Sequence, residues 1–234
     1  MLVLRTLPLA LLDGAAYDRL WSVLDAGEQA RAQRFVFERN RREYVAAHGL
    51  ARLLLARLLG RAPAALSFTT VTPQGKPGLV DAPAGLDFNL SHTDGLVACG
   101  VTLAPGVRLG VDVEASDRRI GADLATAMFA AEELAWLDGR PAGRGGPDLV
   151  AIWTLKEAYI KALGIGLSLP TDSFAIRPDT LELCRHDGSL SPGQDCRLWA
   201  RDLPSGHTLA VATIGPEGQP PIDLVVEEGL AGLG

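Results

Sequence analysis

The segment Trp153-Thr-Leu-Lys-Glu-Ala-Tyr-Ile-Lys161 carries residue types that handle phosphates and metal ions. Read as a helix, it places Trp153, Glu157 and Lys161 at i, i+4 and i+8, on one face. A carboxylate between an aromatic ring and an ammonium is costly to bury, so that face suggests a polar site. The plainer reading is an amphipathic helix with a solvated Glu–Lys pair and one core Trp, and such pairs are common and weak. The lysine count moves the balance. Of 22 Lys plus Arg, only Lys76, Lys156 and Lys161 are lysine. A chain that uses arginine almost everywhere keeps the compact, strongly hydrated ammonium at three positions, two of them in this helix.

A second constellation is Gly110-Val-Asp-Val-Glu114. In a strand, Asp112 and Glu114 project from one face, while Val111 and Val113 point the other way. Adjacent carboxylates repel, and a divalent cation is the usual remedy. The alternative is a polar strand edge. An all-oxygen donor set suits Mg²⁺, and no Cys/His set exists for zinc. Two further candidates sit in predicted turns. Pro73-Gln-Gly-Lys-Pro77 holds Lys76 at its tip, where a plain exposed lysine is the simpler account. Ser91-His-Thr-Asp-Gly95 offers the hydroxyl of Ser91 and the imidazole of His92 to a ligand, although a turn histidine is ordinarily just solvated.

The elements that must position these groups read as follows. Residues 2–9 predict a strand and 15–24 a helix. A helical region runs from Arg31 to Leu59, with a break near Phe35-Val-Phe37, and Gly60 and Pro63 end it. Strands follow at 66–71, 86–90, 96–103 and 107–114, the middle two as a hairpin around the 91–95 turn. Residues 122–138 predict one helix, 139–147 a loop, and 149–163 the helix of the opening segment, stopped by Gly164-Ile-Gly166. Strand-like pieces lie near 173–177, 196–201 and 207–214. The last twenty or so residues, with Pro, Gly and acidic side chains, read as a loose tail. The plan predicts an α+β fold of two similar lobes in a pseudo-twofold arrangement, residues 1–105 and 106–234, with an active site between them.

Composition bounds the partners. The net charge of −6 argues against broad nucleic-acid or anionic-membrane binding. No apolar run is long enough to span a bilayer, and the start lacks signal-peptide features. Cys99, Cys184 and Cys196 have no metal spacing and read as reduced thiols of a cytoplasmic protein.

Taken in order, Gly75-Lys-Pro77, Phe88-Asn-Leu-Ser-His92, Gly110-Val-Asp-Val-Glu114, Trp153 to Lys161 and Gly164-Ile-Gly-Leu-Ser-Leu-Pro170 resemble the motifs of the 4′-phosphopantetheinyl transferases. The match covers roughly residues 25–177 and resembles the two-lobed, surfactin-synthetase-activating type. Each motif alone is weak; their order and spacing are specific.

The resemblance implies transfer of the phosphopantetheine arm of coenzyme A to a serine of an apo acyl, peptidyl or polyketide carrier protein, releasing adenosine 3′,5′-bisphosphate. It implies Mg²⁺ held by Asp112, Glu114 and Glu157 on the coenzyme A diphosphate, with Asp112 also at the substrate. Lys161 would act as a point charge on the diphosphate, and Lys156 at or near the same phosphates. Arg31, Lys76, Ser91 and His92 would grip the adenosine 3′-phosphate and adjoining groups, with Gly75, Pro77 and Asn89 in the same coenzyme A-binding motifs. The nucleophile belongs to the partner, so Glu157 and Lys161 are the catalytic candidates here. The sequence leaves the base open between Glu157 and a metal-bound water. By analogy residues 115–128 form part of the carrier-protein surface, with Arg118-Arg119 as a basic patch, and the family expectation is a monomer. Ala130 stands where the family often has a Ser or Thr, and its side chain cannot cap a helix. A coenzyme A-binding module without transfer activity and an Mg²⁺-dependent phosphoesterase are the alternatives from other classes.

Overall fold

The computed structural model describes residues 1–185 and 190–233, which fall into two compact α+β units. The first comprises 1–71, 77–105 and 222–234, the second 72–76 and 106–221.

In the first unit, β1 (Leu2–Pro8) leads to α1 (Gly14–Ser22), α2 (Ala26–Gln33) and α3 (Glu38–Leu59). A short hairpin, β2 (Phe68–Thr70) and β3 (Pro77–Leu79), precedes a longer one, β4 (Asp87–Thr93) and β5 (Leu96–Thr102). Val45, Leu50, Leu53 and Leu54 of α3 form one apolar core with Leu20 of α1 and with Val97, Cys99 and Val101 of β5. Burial pushes the Cys99 thiol well up, so it stays protonated and inert. The predicted turn at 91–95 is shorter than expected. Only Asp94-Gly95 turns, with Gly95 at φ 84°, so Ser91 and His92 lie within β4. An Asp-Gly pair is sufficient for a two-residue hairpin, and the strands extend to meet it.

The helical region breaks at residues 34–37, and α2 begins at Ala26 rather than Arg31. The cause is a reciprocal cap: Asp25 Oδ1 accepts from the Glu28 N–H at 2.8 Å, and Glu28 Oε2 accepts from the Asp25 N–H at 3.0 Å. Arg52, fully buried on α3, ties this cap down. It donates to Glu28 at 2.6 Å, to Asp25 at 2.5 Å and to the carbonyls of Pro63 and Leu66, both at 2.9 Å.

Burial raises the Glu28 carboxyl, but hydrogen bonds with His48, the Asp25 N–H and Arg52 outweigh it, and the group lies below its ordinary 4.5. A lowered folded value gives stability that is complete above the unfolded value and is lost as pH falls through the folded one. Acid unfolding followed by circular dichroism should therefore draw on Glu28 only below its ordinary value of 4.5. Glu28→Gln should flatten that limb and cost about 1–3 kcal/mol at neutral pH. An unchanged acid limb would remove Glu28 from this account.

The second unit contains β6 (Arg108–Ala115), α4 (Ala122–Met128), α5 (Ala131–Asp138), α6 (Pro147–Leu163), β7 (Ala175–Arg177), β8 (Glu182–Arg185), β9 (Gln194–Leu203) and β10 (His207–Pro216). β6, β10 and β9 make an antiparallel sheet in that order, and β7 pairs with β8 in a separate ribbon. The predicted helix 122–138 is two helices, because Phe129 and Ala130 are extended. Phe129 anchors the bend in an apolar cluster with Leu137, Leu149, Ile152 and Trp153. Leu155, Tyr159 and Leu163 of α6 pack with Phe174, Ile176 and the β10 residues Ala210, Ala212 and Ile214.

The chain then returns to the first unit as β11 (Leu224–Glu228), which pairs parallel to β1 and gives the sheet order β11-β1-β5-β4. The C-terminal residues are thus no loose tail. Arg5, buried on β1, donates to the carbonyls of Glu228, Gly229 and Ala231 at 3.3, 3.1 and 3.0 Å and to the Glu227 carboxylate at 2.6 Å. Among the described residues no helix is long and apolar enough to cross a membrane.

Candidate active site

The second unit brings four of the expected groups together through the contact of α6 with β6. Gly110, Asp112 and Glu114 alternate along β6 with Leu109, Val111 and Val113, so they share a face. α6 lies directly on that face. A Cβ at Gly110 would stand 1.9 Å from the Ala158 carbonyl oxygen and 2.5 Å from the Ala162 nitrogen. Only glycine permits this approach. Across the sheet, Ala212 and Ala210 stand in register with Gly110 and Asp112, so the helix meets small side chains on the next strand too. Gly164, at φ 73°, ends the helix one turn beyond Ile160, whose carbonyl accepts its N–H.

Close approach sets the electrostatics. Lys161 Nζ donates to Asp112 Oδ1 at 2.6 Å and to the Val111 carbonyl at 3.2 Å. Trp153 Nε1 donates to Glu114 Oε1 at 3.1 Å, and Arg118 pairs with the same oxygen. Glu157 Oε1 is buried with no hydrogen-bond partner among the described residues. Burial and the charges of Asp112 and Glu114 push the Glu157 carboxyl up, against the pull of Lys161 and Arg118. The three carboxylates therefore act on one another.

As the side chains stand, no group of three His, Cys, Asp or Glu among the described residues is arranged to hold an ion by itself. Asp112 and Glu114 are drawn to Lys161 and Arg118 instead. The donor set still suits a hard divalent cation: three carboxylates, no thiol or imidazole, with Glu157 Oε1 buried and without a hydrogen bond among the described residues.

Lys156 corrects the sequence reading. It is committed to α5 and β7 rather than to the carboxylates of β6. Its ammonium is fully buried, held by both oxygens of Glu133 at 2.7 Å and by the Phe174 carbonyl at 2.7 Å, and it lies 4.2 Å from the centre of the Phe174 ring. Glu133 Oε2 also accepts from the Ala130 N–H, and Oε1 from the Ile176 N–H, each at 2.8 Å. That reverse bond supplies the cap of α5 that Ala130 lacks a side chain to provide. Lys156 is thus a structural tie between α6, α5 and β7.

The remaining candidates are more dispersed. In the second unit, Gly75 turns at φ 90°; the Lys76 N–H donates to Thr72 Oγ1 at 3.1 Å and its ammonium to the Leu109 carbonyl of β6 at 2.9 Å. Pro77 opens β3 in the first unit. There Asn89 and Ser91 are buried on one face of β4, while His92 is exposed on the other, 3.9 Å from Glu43 Oε2. Arg31, exposed in the last turn of α2, lies 5.7 Å over the Tyr44 ring. Sequence reasoning missed Glu133 and the pairing of Arg118 with Glu114.

Comparisons with known proteins give the same reading in both parts of the chain. The model of the 4′-phosphopantetheinyl transferase superfamily matches residues 108–212, and that of the 4′-phosphopantetheinyl transferase N-terminal region matches 14–102. A phosphopantetheinyl transferase of Thraustochytrium sp. is 32% identical, over 85% of this chain and 74% of its own. A 4′-phosphopantetheinyl transferase of Bacillus subtilis is 28% identical over 86% of each chain. The Nostoc 4′-phosphopantetheinyl transferase HetI is 36% identical over 64% of this chain and 63% of its own. With both regions matched in sequence order and a relative of that identity spanning most of each chain, the protein belongs to the 4′-phosphopantetheinyl transferases, in their two-domain form.

Proposed function

We propose that this transferase moves the 4′-phosphopantetheine arm of coenzyme A to a serine hydroxyl of an apo carrier protein, leaving adenosine 3′,5′-bisphosphate, with Mg²⁺ at Asp112, Glu114 and Glu157. The observation that carries the reading is the electrostatic grouping of these three carboxylates with Lys161 at the contact of α6 and β6. Bound Mg²⁺ supplies positive charge against the diphosphate and the departing nucleotide.

The chain's own residues do the positioning. Lys161, anchored on Asp112 and the Val111 carbonyl, serves as a point charge for a diphosphate oxygen. Glu157 Oε1, without a hydrogen bond among the described residues, is assigned either to the ion or to the proton of the attacking serine. Lys76, tied to the Leu109 carbonyl of β6, and Arg31, Ser91 and His92 are assigned to the adenosine 3′-phosphate and adjoining groups, with Asn89 in the same motif of β4.

The test is intact mass of apo carrier proteins incubated with the enzyme, coenzyme A and Mg²⁺. A gain of one phosphopantetheine arm on the carrier serine, lost with chelator, is the expected result. Coenzyme A bound with no gain on peptidyl, polyketide or fatty-acid carriers would overturn it in favour of a binding module. Coenzyme A cleaved without carrier modification would overturn it in favour of a hydrolase.

A further inference from the structure

Arg118 has no role in the chemistry above, yet it sits on one of its carboxylates. Its guanidinium donates to Glu114 Oε1, the oxygen that also accepts from Trp153 Nε1, and it lies 5.7 Å over the Trp153 ring. Three carboxylates within reach of one another repel, and two cations offset them, Lys161 at Asp112 and Arg118 at Glu114. These cations are held differently. Lys161 projects from α6, has a second bond to the Val111 carbonyl, and its side chain is 28% exposed. Arg118 comes from the irregular segment after β6, and its side chain is 44% exposed. A guanidinium on a long, partly solvated stem leaves such a pair at little cost.

We propose that Arg118 is a displaceable counter-ion of Glu114: it neutralises the carboxylate group while no divalent cation is held, and it yields Glu114 when one binds. Arg118 then stabilises the metal-free protein and lowers its affinity for the metal, which sets the concentration at which the enzyme becomes competent. The inference rests on the reading of Asp112, Glu114 and Glu157 as the ion's ligands.

Mn²⁺ serves as the probe, with free ion counted by electron paramagnetic resonance, on the full chain freed of metal and saturated with coenzyme A. Arg118→Gln should bind Mn²⁺ about two- to fivefold more tightly, the range of a partly exposed ion pair. Arg118→Lys should stay near the parent, and so should Arg119→Gln, an exposed neighbour that tests for a general field effect. Thermal melting gives a second readout. In chelator Arg118→Gln should melt below the parent, and saturating Mn²⁺ should close that gap, because tighter binding adds more stability. Equal or weaker binding by Arg118→Gln, or equal tightening by Arg119→Gln, overturns the inference alone, provided Glu114→Gln has lost affinity. Mn²⁺ binding that is indifferent to Glu114→Gln, or absent in the parent, overturns the ligand reading and this inference with it.

Discussion

Glu157→Gln should lower carrier-protein modification ~100–1,000-fold and leave the protein folded. The two halves of that expectation come from the same oxygen. Glu157 Oε1 is buried and accepts no hydrogen bond among the described residues, so the amide breaks no internal bond there. Asp112 and Glu114 both push the Glu157 carboxyl up, so removing its charge also removes repulsion. In chelator, the variant should melt at the parent's temperature or above it. With Mg²⁺ added, the parent should gain stability and the variant little, because an amide oxygen is a poorer partner for a hard cation than a carboxylate. Steady-state transfer measured by carrier mass, with melting in chelator and in Mg²⁺, checks all three parts. A variant that keeps activity within about tenfold would take Glu157 out of the chemistry. One that melts far below the parent in chelator would make it a structural residue.

How much of this could be read in the sequence depended on whether a position follows from local periodicity. Asp112 and Glu114 share a face because strands alternate, and Trp153, Glu157 and Lys161 share one because helices turn every 3.6 residues. Those relations needed no knowledge of the packing, and they give the core of the candidate site. Gly110 adds the link between the two sets, since its missing Cβ is what admits the Ala158 backbone. Nothing local shows that a glycine in a strand faces a helix rather than a turn.

The misses are of a different kind. β11 pairs with β1 across almost the whole chain, and its Leu-Val-Val run was outweighed by the Pro, Gly and acidic residues around it. Parallel pairing at that separation has no local signature. Arg118 reaches Glu114 only because the segment after β6 folds back, so a basic pair on a predicted surface was the natural reading. Lys156 was more accessible to reasoning. Its neighbours at i−4, i+3 and i+4 are Ile152, Tyr159 and Ile160, all buried, so a helical wheel sets it on an apolar face. Its rarity as a lysine suggested function; its position suggested burial, and the position was the better guide.

Lys156→Met should therefore cost about 3–5 kcal/mol of stability without altering the recognition of coenzyme A. The single change leaves Glu133 buried without its cation, and burial already pushes that carboxyl above its ordinary range against the pull of Lys156 and two backbone N–H groups. With the ammonium gone, the folded value rises further. A raised folded value gives stability that is complete below the unfolded value and lost as pH rises through the folded one. The deficit of Lys156→Met should thus be largest at neutral pH and shrink as the buffer is taken down toward the ordinary carboxyl value of 4.5. Glu133→Leu should also destabilise, since Ala130 and Ile176 lose the acceptor of their N–H groups. The double variant should be less destabilised than the sum of the two, by about 1–3 kcal/mol, because neither lone charge is then left buried. Denaturant melts of the four proteins measure the cycle. Additivity within about 0.5 kcal/mol would show that the pair is not the tie between α6, α5 and β7. The coenzyme A KM, taken below the variant's melting range, separates the two roles that Lys156 could have. A value close to the parent's leaves the ammonium as a buried support. A rise of tenfold or more, about 1.4 kcal/mol of lost binding, would return it to the phosphates.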